Sequence, residues 1–250
     1  MRRIVAGLAA VFLLPAMLFA QTKQQSSLRP AKESIEAASS ASGSVYKNDF
    51  FQFTYGFPIS FTGYYGADIH KIMKEGHHFA FGGDPEADPE HRRMESQVIA
   101  LLDAVGEPPK GSIVPPSVTI FAWDKPGESP PSAQDAMKQI LSEVTAGPSD
   151  SARFRLVGAP AEQRIGALSF WRANLRADLQ ARGIKISVRM AVLVTSMKKY
   201  PVIWLLTAEG ENQLHELLAT TNSIRSFAAD EPPNSAPPMD KPKPQPGDGE

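Results

Sequence analysis

The clearest signal in the chain is an alternation of apolar positions between Ile184 and Val194. Ile184, Ile186, Val188, Met190, Val192 and Val194 share one face of a strand at period two. The positions between them pass from Lys185, Ser187 and Arg189 to Ala191 and Leu193. One face of that strand is therefore buried throughout, while the other is wet at its start and covered later. Lys198-Lys199-Tyr200-Pro201 reads as a hairpin-like turn, and Val202 to Ala208 as the returning strand. Phe154–Gly158 and Leu168–Leu175 read as the strands ahead of them, and strands joined by tight turns run antiparallel.

The first half of the pattern is denser in aromatic residues. Phe51, Phe53, Tyr55 and Phe57 fall on one face of a strand predicted over Tyr46 to Phe57, which Pro58 ends. Ala67 to Lys74 predicts one or two helical turns. Met94 to Val105 fits a short helix or a buried strand. Strand is the choice, because Pro108-Pro109 closes the run and a further strand, Ser117 to Asp124, follows. Ser132 is placed to cap a helix with Asp135 at capping-box spacing. Ala133, Met137, Ile140, Leu141 and Val144 then form its apolar stripe, and Gly147-Pro148 stops it. Leu214, Leu217 and Leu218 carry a last helix over Glu211 to Ser223. The fold class expected from this order is α+β: an antiparallel β-sheet flanked by helices.

The two ends of the chain have other patterns. Met1-Arg2-Arg3 followed by an apolar run to Phe19 reads as a signal peptide over residues 1–20, cleaved after Ala20. The run is short for a membrane span and Pro15 interrupts it, although an uncleaved anchor is the competing reading. Residues 21–43, rich in Gln, Ser, Ala and Lys, read as a flexible linker. Residues 229–250 carry seven prolines and read as a disordered, extended tail, either a spacer or ligand for a proline-reading domain or a tail with no partner. A single globular domain is expected over 44–228.

The opening Tyr46-Lys47-Asn48-Asp49-Phe50-Phe51-Gln52-Phe53-Thr54-Tyr55-Gly56-Phe57-Pro58 is an aromatic-rich strand ending in Phe-Pro. With the later strand, the Ser-Ala-Gln-Asp helix start, the strand meander and the Leu-rich helix ending near Ser226-Phe227, it resembles the PsbP-like fold family, a group that includes small bacterial secreted domains of unknown function. The resemblance implies an α/β/α sandwich over about Val45 to Phe227 and a non-enzymatic accessory or assembly role. The family's tryptophan-containing turn is replaced here by Ile59-Ser60-Phe61-Thr62-Gly63-Tyr64, and no functional motif of the family is carried over.

Composition narrows the chemistry. The 250 residues contain no cysteine, which excludes a disulfide framework, a thiol nucleophile and a thiolate metal site. A formal charge of −1, becoming −3 once Arg2 and Arg3 are removed, lacks the basic footprint of a general nucleic-acid binder. No Gly-x-Ser-x-Gly elbow, phosphate loop or dinucleotide fingerprint is present. His77, His78 and His91, with Asp84, Glu86, Asp88 and Glu90 around them, are the residue types that hold zinc, copper or nickel, but they lack a fixed ligand spacing. Arg153, Arg155, Arg164, Arg172, Arg176, Arg182 and Arg189 enrich the second half in positive charge. Gathered on one sheet face they would bind an acidic partner, whereas scattered they are ordinary solvated positions.

The expectation is therefore a non-catalytic exported protein, periplasmic or secreted. It has no assigned catalytic residue or cofactor, and no stable membrane span after cleavage. It acts as a protein-binding or accessory module of the cell envelope. The alternative is a metal- or small-ligand-binding module built on the 68–93 loop.

Overall fold

The computed structural model describes residues 30–72, 96–124, 130–145, 152–181 and 184–227. Residues 1–29, 73–95 and 228–250 lie outside the described residues, and with them the expected signal peptide, His77, His78 and His91, and the expected disordered tail.

A seven-stranded antiparallel sheet forms the centre. Its strands are β4 (Thr62–Tyr64), β5 (Val98–Val105), β6 (Ser117–Trp123), β7 (Ala152–Ile165), β8 (Leu168–Ala181), β9 (Ile184–Met197) and β10 (Tyr200–Ala208), in the order β4-β5-β6-β10-β9-β8-β7. Every residue of β10 is buried, because it lies mid-sheet with a layer on each face. Its even positions Val202, Trp204 and Leu206 enter one core, and Ile203 and Leu205 enter the other. Lys198 and Lys199 both take positive φ (48° and 69°), as a two-residue hairpin loop between β9 and β10 requires.

Each face has its own cover. Helix α2 (Ala133–Thr145) lays Ala136, Met137, Ile140 and Val144 against Val188, Met190 and Leu175. Ser132 caps it as expected, with its Oγ accepting from Asp135 N at 3.1 Å. Helix α3 (Glu211–Thr220) covers the opposite face with Leu214 and Leu217. Beside it sits a four-stranded sheet of β1 (Ser39–Ser42), β2 (Val45–Asn48), β3 (Phe53–Gly56) and β11 (Arg225–Ser226), in the order β1-β2-β3-β11. Trp204 is fully buried where the two sheets meet, its ring centroid 5.3 Å from those of Phe53 and of Phe170.

The α+β class and the antiparallel sheet between helices stand as expected. Two local expectations are corrected. The continuous strand over Tyr46 to Phe57 is a hairpin, β2 and β3, because Asn48 Oδ1 accepts from Phe51 N at 2.8 Å and Gln52 adopts φ 58°, which together turn the chain. Phe51, Phe53, Tyr55 and Phe57 are nonetheless all buried. The flexible linker expected over residues 21–43 is ordered in its described part. Lys32–Ala37 is helix α1, with Ile35 wholly buried, and β1 pairs with β2 residue for residue. Buried Asn48 ties the two together by donating to Ile35 O (3.2 Å) and Ser39 Oγ (3.1 Å).

Candidate functional site

The alternation in β9 decides where charge goes. Val188, Met190 and Val192 point into the α2 core, so Lys185, Ser187 and Arg189 point to the other face. On β8, Leu175, Ala177 and Leu179 join the α2 core, which sends Arg172, Asn174, Arg176 and Asp178 across. On β7, Phe154 packs on the α2 side, and Arg153 and Arg155 take the opposite side. Helix α3 sits over β10 and β9, and the outer strands carry this face into solvent.

Register then aligns the charges. Arg155 stands opposite Arg176, and Arg176 opposite Arg189, so three guanidinium-bearing positions line one rung across three strands. The next rung is Arg153, Asp178 and Ser187. Like charges directly opposite each other destabilise a sheet. Asp178 offsets part of this: it pairs with Arg155, lies 3.7 Å from Arg176 Nε, and accepts from Ser187 Oγ at 2.9 Å. The Ser187 hydroxyl, and then Arg155 and Arg176, hold its carboxyl below the usual aspartate range. Arg189 Nη2 is 3.5 Å from Glu211 Oε2 in the first turn of α3.

Arg172 differs from the others. Its Nε and Nη2 both donate to Asn174 Oδ1, at 3.2 and 3.1 Å. An amide oxygen satisfies hydrogen bonds but cancels no charge, and burial lowers the pKa of this guanidinium. Across the face, Arg153, Arg155, Arg172, Arg176, Lys185 and Arg189 stand against Asp178 and Glu211. The excess is positive, and the side chains of Arg155 and Arg176 are 57% and 48% exposed. Guanidinium groups in such an array hold carboxylates in bidentate pairs and steer acidic partners from a distance.

The structure thus brings five of the seven arginines onto one face. Arg164 stands opposite Ser169 and falls on the other side, and Arg182 lies outside the described residues. His70 meets Glu36, its Nε2 2.9 Å from Oε2, and His215 is exposed on α3. No group of three or more His, Cys, Asp or Glu that would hold a metal ion occurs among the described residues. No helix among them is long and apolar enough to cross a membrane.

A second polar group escaped the sequence reading. On the α2 side of the sheet, Asp103, Ser117, Thr119 and Thr207 are buried in neighbouring positions of β5, β6 and β10. Thr119 Oγ1 donates to Asp103 Oδ1 at 2.7 Å, while Asp103 Oδ2, Ser117 Oγ and Thr207 Oγ1 have no hydrogen-bond partner among the described residues. Burial pushes the Asp103 carboxyl up to about 7. The only sequence signal was one carboxylate inside the apolar run from Val98 to Val105.

No family model and no curated protein sequence matches the chain. Among solved structures it is similar to cyanobacterial PsbP from Synechocystis sp. PCC 6803, with a TM-score of 0.44 and 10% identity over 75% of this chain and 95% of that one. It is also similar to LpqN, a protein involved in cell envelope biogenesis of Mycobacterium tuberculosis, with a TM-score of 0.32 and 14% identity over 49% of this chain and 67% of that one. At these identities and TM-scores neither likeness says what this chain does.

Proposed function

We propose that this chain is a non-catalytic, exported accessory module of the cell envelope, and that its basic sheet face holds an acidic partner protein. The observation that carries the reading is the rung Arg155–Arg176–Arg189, where three guanidinium-bearing positions are aligned against two carboxylates, Asp178 and Glu211. An exposed excess of guanidinium over carboxylate on one sheet face is most simply accounted for by an acidic ligand that neutralises it. Export rests on the apolar segment after Arg2 and Arg3, and the accessory role on the PsbP-like resemblance of the sequence.

The test is capture of partners from the envelope fraction with the full chain and with the double reversal Arg155→Glu/Arg176→Glu. The native chain should retain an acidic protein that the reversal loses and that raised salt releases. A partner held equally by both chains, or turnover in a broad hydrolase screen, would overturn the reading.

A further inference from the structure

Among the described residues, the basic face ends at a sheet edge with no strand beside it. Strand β7 is the last strand of the seven, 14 residues long, and most of its described side chains are exposed. The opposite edge, β4, has three residues. Long open edges invite another strand, and proteins blunt them with charge, bulges and proline. Here the bulge and the proline lie in one half, while the other half carries charge at Arg153 and Arg155. Register shifts between Val157 and Ala161, where Gly158 takes φ 77° and Pro160 follows. From Ala152 to Val157 the pairing with β8 is regular, and the outer edge of this half carries two exposed apolar side chains, Leu156 (41%) and Val157 (47%).

We infer that the Arg153–Val157 edge of β7 accepts an extended segment of the acidic partner as an eighth strand. This deepens the proposed function and rests on it. Side chains of an added strand alternate between faces. One set would lie beside Arg153 and Arg155, with Arg176 on the strand behind, and calls for Asp or Glu. The other set would lie beside Phe154 and Leu156 and calls for apolar residues. The segment recognised is thus an acidic–apolar alternation, bound by main-chain hydrogen bonds for affinity and by carboxylate–guanidinium pairs for register. A second copy of this chain is a poor occupant. Antiparallel self-pairing centred on Arg155 sets Arg155 against Arg155, and centring on Phe154 sets Arg153 against Arg155.

The experiment uses the full chain and three probes: a peptide alternating Glu and Val, the same peptide N-methylated at alternate amides, and polyglutamate. Binding is read by titration, and amide hydrogen exchange is followed along β7. The alternating peptide should bind, slow exchange at residues 153–157, and lose roughly tenfold or more in affinity on N-methylation, as a few main-chain hydrogen bonds at about 1 kcal/mol each imply. Equal binding of the methylated peptide, or binding with no slowing in β7, overturns strand addition. Binding of polyglutamate in that case leaves the basic-face reading standing. If neither the peptides nor polyglutamate bind, both readings fall.

Discussion

Glu36 reaches from α1 to the backbone of Ala100 in β5, its Oε1 accepting from Ala100 N at 3.2 Å. The site of contact has a structural reason. Strand β4 pairs with β5 over Asp103–Val105, and the register of β5 slips between Ala100 and Leu102, so among the described residues the outer edge at Ala100 has no strand beside it. A carboxylate takes the place of the missing carbonyl, with its second oxygen 2.9 Å from His70 Nε2 and Lys32 Nζ 3.8 Å from the first.

Replacing that carboxylate should therefore cost global stability. Glu36→Ala leaves a buried amide unpartnered and is expected to destabilise by about 1–3 kcal/mol in urea denaturation. Glu36→Gln, which keeps an acceptor oxygen, should recover a good part of the loss. Equal loss in both variants would mean that charge, not the amide contact, matters.

Asp103 gives the fold a pH dependence whose sign can be stated. Its folded pKa, about 7, lies above the ordinary 3.8, so folding favours the neutral acid. Stability from this group is full below about pH 4 and is lost as pH rises through 7. The three-unit difference corresponds to roughly 4 kcal/mol as an order of magnitude. Asp103→Asn should flatten this slope and raise the melting temperature at pH 8 more than at pH 4. Parallel melting curves for both proteins across that range would refute the assignment.

The basic face should be separable from stability. Arg176→Gln removes the middle member of the arginine rung, whose nearest carboxylate oxygen is 3.7 Å away. Exposed pairs of this kind contribute little, so the change in unfolding free energy should stay within about 0.5 kcal/mol. Retention of the acidic partner should fall markedly. A large loss of stability without a loss of binding would place Arg176 in the scaffold instead.

Gly106 tests close packing. A Cβ there would lie 2.5 Å from Phe61 Cε1, while Gly106 N donates to Pro116 O at 2.8 Å and fixes the backbone. Gly106→Ala should destabilise by about 1–3 kcal/mol through overpacking. Adding Phe61→Leu should make the double variant less destabilised than the two single effects added together, and strict additivity in a double-mutant cycle would exclude the contact.

How far the sequence disclosed this molecule depended on what each residue does locally. The β9–β10 region was legible because period-two burial is written directly in Val188, Met190 and Val192, and in the wholly apolar stretch Val202–Leu206. The β2–β3 turn was not, since it rests on the Asn48 side chain and on a positive φ at Gln52, a residue with no special preference for it. Ser39–Ser42 looks like linker by composition, yet it is a strand because β2 supplies a partner. The arginines were visible as a list. Their common face required knowing that Phe154, Leu175 and Met190 all turn toward α2, and their alignment required the register of three strands.

The four-stranded sheet joins the two ends of the domain. Tyr55 bonds to Thr220, 165 residues later, Gly56 to Ser223 across 167, and β11 closes against β3. Its last strand is also nearly the last piece of the described chain to be made. An N-terminal hairpin that waits for Arg225 and Ser226 cannot finish its sheet before those residues have been made. Completion of this layer thus waits until nearly all of the described chain has been made.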